Sequence, residues 1–501
     1  MENSVSRRSM LKGSLGGLIV ASLSPEPVWG QSTLKQRLDW NTFKATPSYS
    51  SFLNAIKKMR ANTNANDRNS WVYWTKIHVN YCPHGIAYFL AWHRGYLNYF
   101  EQQLRLVSGD SRLTVPYWNY YGNPVLPPEF TNPASTNPLY VPRTNSNVAQ
   151  ALSMAPFSNS LTALPRGTAN AFEPSVEDMP HNPVHDIIGG VMADMQSPMD
   201  PIFWLHHANI DRLWSAWVAA ANGRQMPLRT SSYWNGSFTY ATNLTLNRRS
   251  TFSTRTDLFY YYQNEAMPAA LPVVQGTSAS VQAEALQSGA RNSVEALAQP
   301  TQQGNAGKRP KRPPDGRFPV TGMRPSGTNA LALAGASQIV LDETSVSARI
   351  PLSTAAHDIL RQVLGKLTAL PFGAAKSVQP YNSVNIVFDV PQVSASGLAG
   401  GFFYKVYINL PVDGDGADTE EKYFLGTIGP FRLAGLMHHA QMGHGAAQLS
   451  FPATALVQRF SVNELAEMSV SFIRVSGDNS PAGVVISFKE CRIEVSTDMP
   501  D

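Results

Sequence analysis

Residues 78–101 read HVNYCPHGIAYFLAWHRGYLNYFE. From Ala87 onward apolar residues recur at helical spacing, with Leu90, Leu97 and Leu104 on one stripe, which predicts a helix over residues 87–107. His93 lies on that helix, while His78 and His84 come from the irregular segment before it. Between them sits Cys82, one of two cysteines in the chain, four residues after His78 and two before His84. A second stretch, DPIFWLHHANIDRLWSAWVAAA (200–221), reads as another amphipathic helix, with Asp200 and Pro201 as start signals.

The remaining histidines decide what the first three are for. Of eleven, seven fall in two windows: 78, 84 and 93, then 181, 185, 206 and 207. HNPVH sets His181 and His185 at i and i+4, on one helical face. Pro183 is tolerated only in a first turn, so this helix starts close to His181. His207, on the next helix, completes a second set of three. Neither set has a carboxylate ligand nearby, and three neutral imidazoles suit zinc, copper, iron or nickel. A zinc peptidase helix needs a glutamate directly after its first histidine, where this chain has Asn182. Two matching all-imidazole sets favour two redox metals facing one small ligand, with copper and dioxygen the natural candidates.

The 501 residues are 43% hydrophobic and 15% charged, a globular composition, and the net charge of +5 is mild. No nucleic-acid-binding motif accompanies that charge, so nucleic acid is not an expected partner. At the N-terminus, SRRSMLKG precedes a short apolar run, and Arg7-Arg8 mark residues 1–30 as a twin-arginine leader for export to the periplasm or beyond. The run is too short for stable membrane insertion. Residues 31–270 form the histidine-bearing helical domain. Residues 271–316 are Ala/Gln/Ser/Gly-rich, end in a basic Pro-rich cluster, and read as a protease-sensitive linker. Beyond it, residues 317–501 carry alternating stretches such as SARIPL, VNIVFDV, FFYKVYINL and ISFKECRIEV, which predict an antiparallel β-sandwich or small barrel. The expected fold class is therefore α + β in two domains.

The first window, together with HNPVHDIIGG and SPMDPIFWLHHANIDRLW, resembles the CuA and CuB motifs of type-3 copper proteins: tyrosinases, catechol oxidases and haemocyanins. The resemblance runs from about residue 70 to 264 and includes YYYQ (260–263), similar to the tyrosine motif that closes the family's catalytic domain. More weakly, the C-terminal region is similar to the β domain of plant and fungal polyphenol oxidases, best in KYFLGTIGPF (422–431). It implies a four-helix bundle holding two copper ions, with His78, His84 and His93 as CuA ligands and His181, His185 and His207 as CuB ligands. His206 then becomes a packing residue, and Asp211 holds an imidazole N–H or pairs with an arginine such as Arg94.

Further expectations follow from the resemblance. Cys82 and His84 match the position of a thioether crosslink, which would fix a ligand that comes from a loop. The reaction is hydroxylation of monophenols to o-diphenols and their oxidation to o-quinones with dioxygen; the alternative is a catechol or o-aminophenol oxidase without the first step. Glu177 and Asn182 match residues that hold a proton-accepting water, with Glu173 as a substitute carboxylate and Asn182 as a helix cap in the competing reading. Asp186 and Met195 fall at entrance positions, where Asp186 would disfavour carboxylated phenols. The β domain is expected to lid the site through Phe431, Leu436 or Met437 in the loop FRLAGLMHHAQMGHG (431–445). Alternatively Met437, His438, His439, Met442 and His444 form a soft cluster that relays copper. Small phenols are the expected substrates, and a homo-oligomer is compatible with all of this.

Overall fold

A computed structural model describes residues 33–273, 325–365, 381–411, 422–441, 447–465 and 468–499. The leader at 1–30 and residues 274–316 of the linker lie outside the described residues. Six helices organise the first unit: α1 (Ser48–Ala61), α2 (Trp71–Tyr81), α3 (Phe89–Ser108), α4 (Phe172–Val176), α5 (Asn182–Ile188) and α6 (Ile202–Ala219). Helices α2, α3, α5 and α6 are the four that bring histidines together. The prediction for His78 was wrong, because it lies on α2 and not in an irregular segment. Ser70 caps this helix by accepting from the Val72 N–H, and Trp71, Trp74, Ile77 and His78 all face inward. Its apolar repeat rests on tryptophans in a window of eleven residues, too short for the period to stand out. Among the described residues, no helix is long and apolar enough to cross a membrane.

Asp211 ties the first unit shut. Its carboxylate accepts from Arg94 Nε (2.6 Å), Tyr260 Oη (2.6 Å), Tyr262 Oη (2.5 Å) and Arg37 Nη1 (3.4 Å). Burial would raise its pKa, but the two arginines and two phenols together hold it below the usual value. The arginine pairing expected for Asp211 is thus present, and it does not reach an imidazole. The two tyrosines belong to a short strand, β4 (Tyr260–Tyr262), paired in parallel with β1 (Lys35–Arg37), so the YYYQ segment closes the unit onto its own beginning. Between them lies an antiparallel hairpin of β2 (Ser237–Ala241) and β3 (Leu244–Asn247).

The second unit is a sandwich of two sheets; neither closes into a barrel. One sheet runs β10 (Phe424–Ile428), β9 (Phe402–Ile408), β12 (Met468–Ser476), β6 (Val346–Ile350). The other runs β11 (Gln448–Pro452), β7 (Ser383–Asp389), β13 (Ile486–Ser496), β5 (Ala330–Leu341), with β8 (Gln392–Val393) beside β13. All these pairings are antiparallel. Strand β9, FFYKVYI, is buried at every position. Its alternation explains this: Phe402, Tyr404, Val406 and Ile408 enter the sandwich core, while Phe403 points the other way into the core of the helical unit. Among the described residues, its two longest helices are α7 (Thr354–Val363) and α8 (Pro430–Gln441). Most of the segment expected to be the FRLAGLMHHAQMGHG loop is therefore helix.

Candidate metal centre

Six histidines converge where α2, α3, α5 and α6 meet. Four of them have their ring orientation set by the chain around them. His78 Nδ1–H donates to the Met195 carbonyl (2.7 Å), His93 to Phe89 O (2.8 Å), His185 to Met192 O (2.8 Å), and His181 to Asn182 Oδ1 (2.9 Å). A proton fixed on Nδ1 leaves Nε2 as a bare lone pair aimed inward, the arrangement a metal-binding imidazole needs. In the second set, His181 Nε2 and His185 Nε2 each lie 3.4 Å from His207 Nε2. Lone pairs brought this close repel unless a cation sits among them, so the donor set fits a metal ion. In the first set, His78 Nε2 is buried without a hydrogen-bond partner, and the ring lies 5.1 Å from His84 and 5.9 Å from His93. The two sets face each other, with the His93 and His207 rings stacked at 4.3 Å and 15°.

Burial keeps these imidazoles neutral. It lowers His78 to about 4 and pushes His93, His181, His185 and His207 well below the ordinary histidine range. The neutral form is the ligating one. His84 differs, being half-buried at the edge of the site beside the exposed Gly85 and Ile86. Cys82 Sγ is 3.5 Å from His84 Nε2 and 3.2 Å from His93 Nε2. Its thiol is buried and burial raises its pKa, so it is not an exposed nucleophile. His206 lies beside the second set, buried, with neither ring nitrogen hydrogen-bonded. Its ring stacks on His181 at 5.3 Å, and it offers a ring nitrogen within 4.8 Å of one on each of His181, His185 and His207, so the geometry places it within reach of the second set.

Two carboxylates before His181 hold the first set's loop. Glu177 Oε1 accepts from the Gly85 N–H (2.7 Å), beside His84, and Oε2 accepts from Arg166 (2.5 Å). Glu173 accepts from the Leu90 N–H (3.1 Å) in the first turn of α3 and from the Arg166 N–H (3.1 Å). Burial raises Glu173 to about 7. Asn182 is the first residue of α5, which follows His181, and its amide oxygen is committed to that imidazole instead of capping the helix. Arg166 went unnoticed in the sequence, because nothing in its neighbourhood signals that it reaches Glu177.

The lid candidates separate cleanly. Phe431 is 1% exposed and its ring stacks on His185 at 3.9 Å and 9°, while meeting His84 edge-on at 5.0 Å and His181 at 5.6 Å. It thus covers a ligand of each set. Leu436 and Met437 are half-buried and pack against the sandwich core instead. Met442 and His444 of the expected copper-relay cluster lie outside the described residues. Asp186 is not at an open mouth. It is completely buried beneath the β unit, where Oδ1 accepts from the Phe431 N–H (2.8 Å) and Oδ2 has no partner. Burial raises its pKa far above the usual carboxylate value. Gly429 makes room for that carboxylate, since a Cβ there would lie 2.0 Å from Oδ2. Met195 is buried as well; its carbonyl orients His78, and its sulfur lies 3.4 Å from where a Cβ on Gly435 would be. Beside Phe431, Arg432 pairs with Asp178 (2.6 Å), a contact the sequence did not announce.

Known proteins match the part of the chain that carries this centre. The model for the common central domain of tyrosinase matches residues 48–162 and 131–220. A tyrosinase, HcTyr1, from Hahella sp. (strain CCB-MM4) is 37% identical over 186 residues, covering 30% of this chain and 40% of that protein. A tyrosinase from Streptomyces glaucescens is 30% identical over 173 residues, covering 26% of this chain and 61% of that one. Hemocyanin 1 of Megathura crenulata is 30% identical over 172 residues, 5% of its length. The chain thus spans about two-fifths of the first relative. In overall fold, the structure of latent apple tyrosinase is similar at a TM-score of 0.50 and 17% identity, covering 93% of this chain and 97% of that one. The histidine geometry and the central-domain match agree: residues 48–220, which carry both histidine sets, match the common central domain of tyrosinase.

Proposed function

We propose that the chain is an exported tyrosinase in a latent state, hydroxylating monophenols and oxidising the resulting o-diphenols to o-quinones with dioxygen. The observation that carries this reading is the pair of three-imidazole sets facing each other, with at least four rings locked so that Nε2 is the ligating atom. His78, His84 and His93 would hold one copper ion, and His181, His185 and His207 the other. When bound, the two ions supply the redox chemistry with dioxygen. The chain's own residues do the rest: carbonyls 89, 192 and 195 orient ligands, and Glu177 with Arg166 secures the loop bearing His84. Phe431 occupies the space a phenol ring would need over His185, which supports latency. Export rests on the Arg7-Arg8 leader.

One observation favours the second reading, an o-diphenol or o-aminophenol oxidase without hydroxylation. Both oxygens of Glu177 and the amide oxygen of Asn182 are already engaged, leaving the proposed water fewer acceptors. Oxygen uptake with tyramine and 4-methylcatechol, on copper-loaded protein freed of the Phe431 obstruction, decides between them. Uptake on both substrates supports a tyrosinase; uptake on catechol alone returns Glu177 and Asn182 to purely positioning roles.

A further inference from the structure

The contact between the two units has an unusual composition for a removable cover. Gly189-Gly190, following α5, meet Gly400-Gly401, preceding β9, with backbone directly on backbone. The Gly190 N–H donates to Ala399 O (2.8 Å) and the Gly401 N–H to Asp186 O (2.7 Å). A Cβ on Gly400 would lie 2.7 Å from Gly189 Cα, 2.8 Å from Asp186 O and 3.0 Å from Ala193 Cβ, all in the helical unit. Alongside, Thr144 Oγ1 donates to Ala399 O (2.7 Å), the Asn479 N–H to Asn145 Oδ1 (2.8 Å), and Asn479 Nδ2 to Thr144 O (2.9 Å). Next to this stitching, Phe403 is fully buried in the helical core, and Phe424 and Val475 pack against that core. Thr427 and Arg432 grip Asp178 at the far end.

Separation would strip backbone groups of their partners and expose an apolar strand face, both costs characteristic of an obligate interface. We infer that the β unit is a permanent half of the fold, so cutting the chain within residues 274–324 neither releases it nor relieves latency. Continuity of the chain adds effective concentration to this seam, but the seam's own contacts hold it. The second half of the inference, persistent latency, rests on the proposed function; the first half does not.

The test is a specific protease site introduced within residues 274–324, followed by native gel filtration of the cut full-length protein at about 1 µM, a concentration at which obligate interfaces persist. Co-elution of the fragments at the mass of the intact chain, with 4-methylcatechol oxidation changed by less than about twofold on cutting, is the expected result. Separation of the fragments on cutting overturns the inference. Gly400→Val, whose Cβ would lie 2.7 Å from Gly189 Cα across the seam and whose φ of +70° also strains the backbone, should let the cut fragments part, with an unchanged circular dichroism spectrum of the uncut variant showing that both units still fold; if the fragments still co-elute, the glycine seam is not what holds them. Full activity in the uncut wild-type chain would refute latency alone and leave the co-elution result standing.

Discussion

Replacing Phe431 with alanine tests the plug in a way that can be worked through from the geometry. The ring is 1% exposed, stacked on His185 at 3.9 Å and set edge-on to His84 at 5.0 Å. Burying a phenylalanine side chain is worth about 1.5–3 kcal/mol. Specific aromatic contact adds roughly 0.5–1.5 kcal/mol. The seated state is therefore favoured by about 2–4 kcal/mol through this side chain, which at about 1.4 kcal/mol per decade is roughly 30- to 1000-fold. In Phe431→Ala, kcat/KM for 4-methylcatechol, followed with an oxygen electrode on the uncut chain, should rise by about two orders of magnitude. Phe431→Leu keeps apolar bulk but loses the stack, and should rise by only about tenfold. An alanine variant no faster than wild type, at equal copper content and equal Tm, would refute the reasoning.

Three further outcomes follow from contacts around the centre. Arg432→Ala removes a partly exposed ion pair with Asp178, worth about 0.5–1 kcal/mol after solvent screening, so latent activity should rise about two- to fivefold in the same assay; an unchanged rate would detach this pair from latency. Glu177→Gln keeps an acceptor for the Gly85 N–H, and if the carboxylate handles the phenol proton, turnover of tyramine relative to 4-methylcatechol should fall by at least about tenfold; an unchanged ratio leaves it a tether. Glu173 has a folded pKa of about 7 against an ordinary value near 4.5. The folded state holds its proton longer than the unfolded one, so stability from this group is full below about pH 4.5 and is lost as pH rises towards 7. Glu173→Gln should therefore gain Tm relative to wild type between pH 5 and pH 8, measured by thermal unfolding; a difference independent of pH would contradict the shift.

The two histidine windows and the two long helices were legible because each rests on local spacing. His181 and His185 sit a turn apart, and Pro183 marks where α5 can begin. Residues 87–107 and 200–221 carry their period over several turns, and the structure places helices at Phe89–Ser108 and Ile202–Ala219. His78 was misassigned because its helix is short and rich in tryptophan, so the segment offered too few turns to read. What the sequence hid is long-range. Asp186 reads as an entrance residue from its place beside His185, yet its environment is set by Phe431 and Gly429, more than two hundred residues away. The double glycines at 189–190 and 400–401 are each visible, but nothing local says that they meet. Choosing Phe431 over Leu436 and Met437 likewise depends on which face of α8 turns from the sandwich core, a question of packing and not of composition.

Two separate imidazole sets, each proposed to hold one copper ion, fix the metal content of the chain. Copper per chain, measured on purified full-length protein and on its His207→Ala and His93→Ala variants after removal of loosely held metal, tests this most directly. Two ions in the wild-type chain and one in each variant, with the other set still occupied, are expected. A single ion in the wild type, or two in either variant, would contradict the proposal.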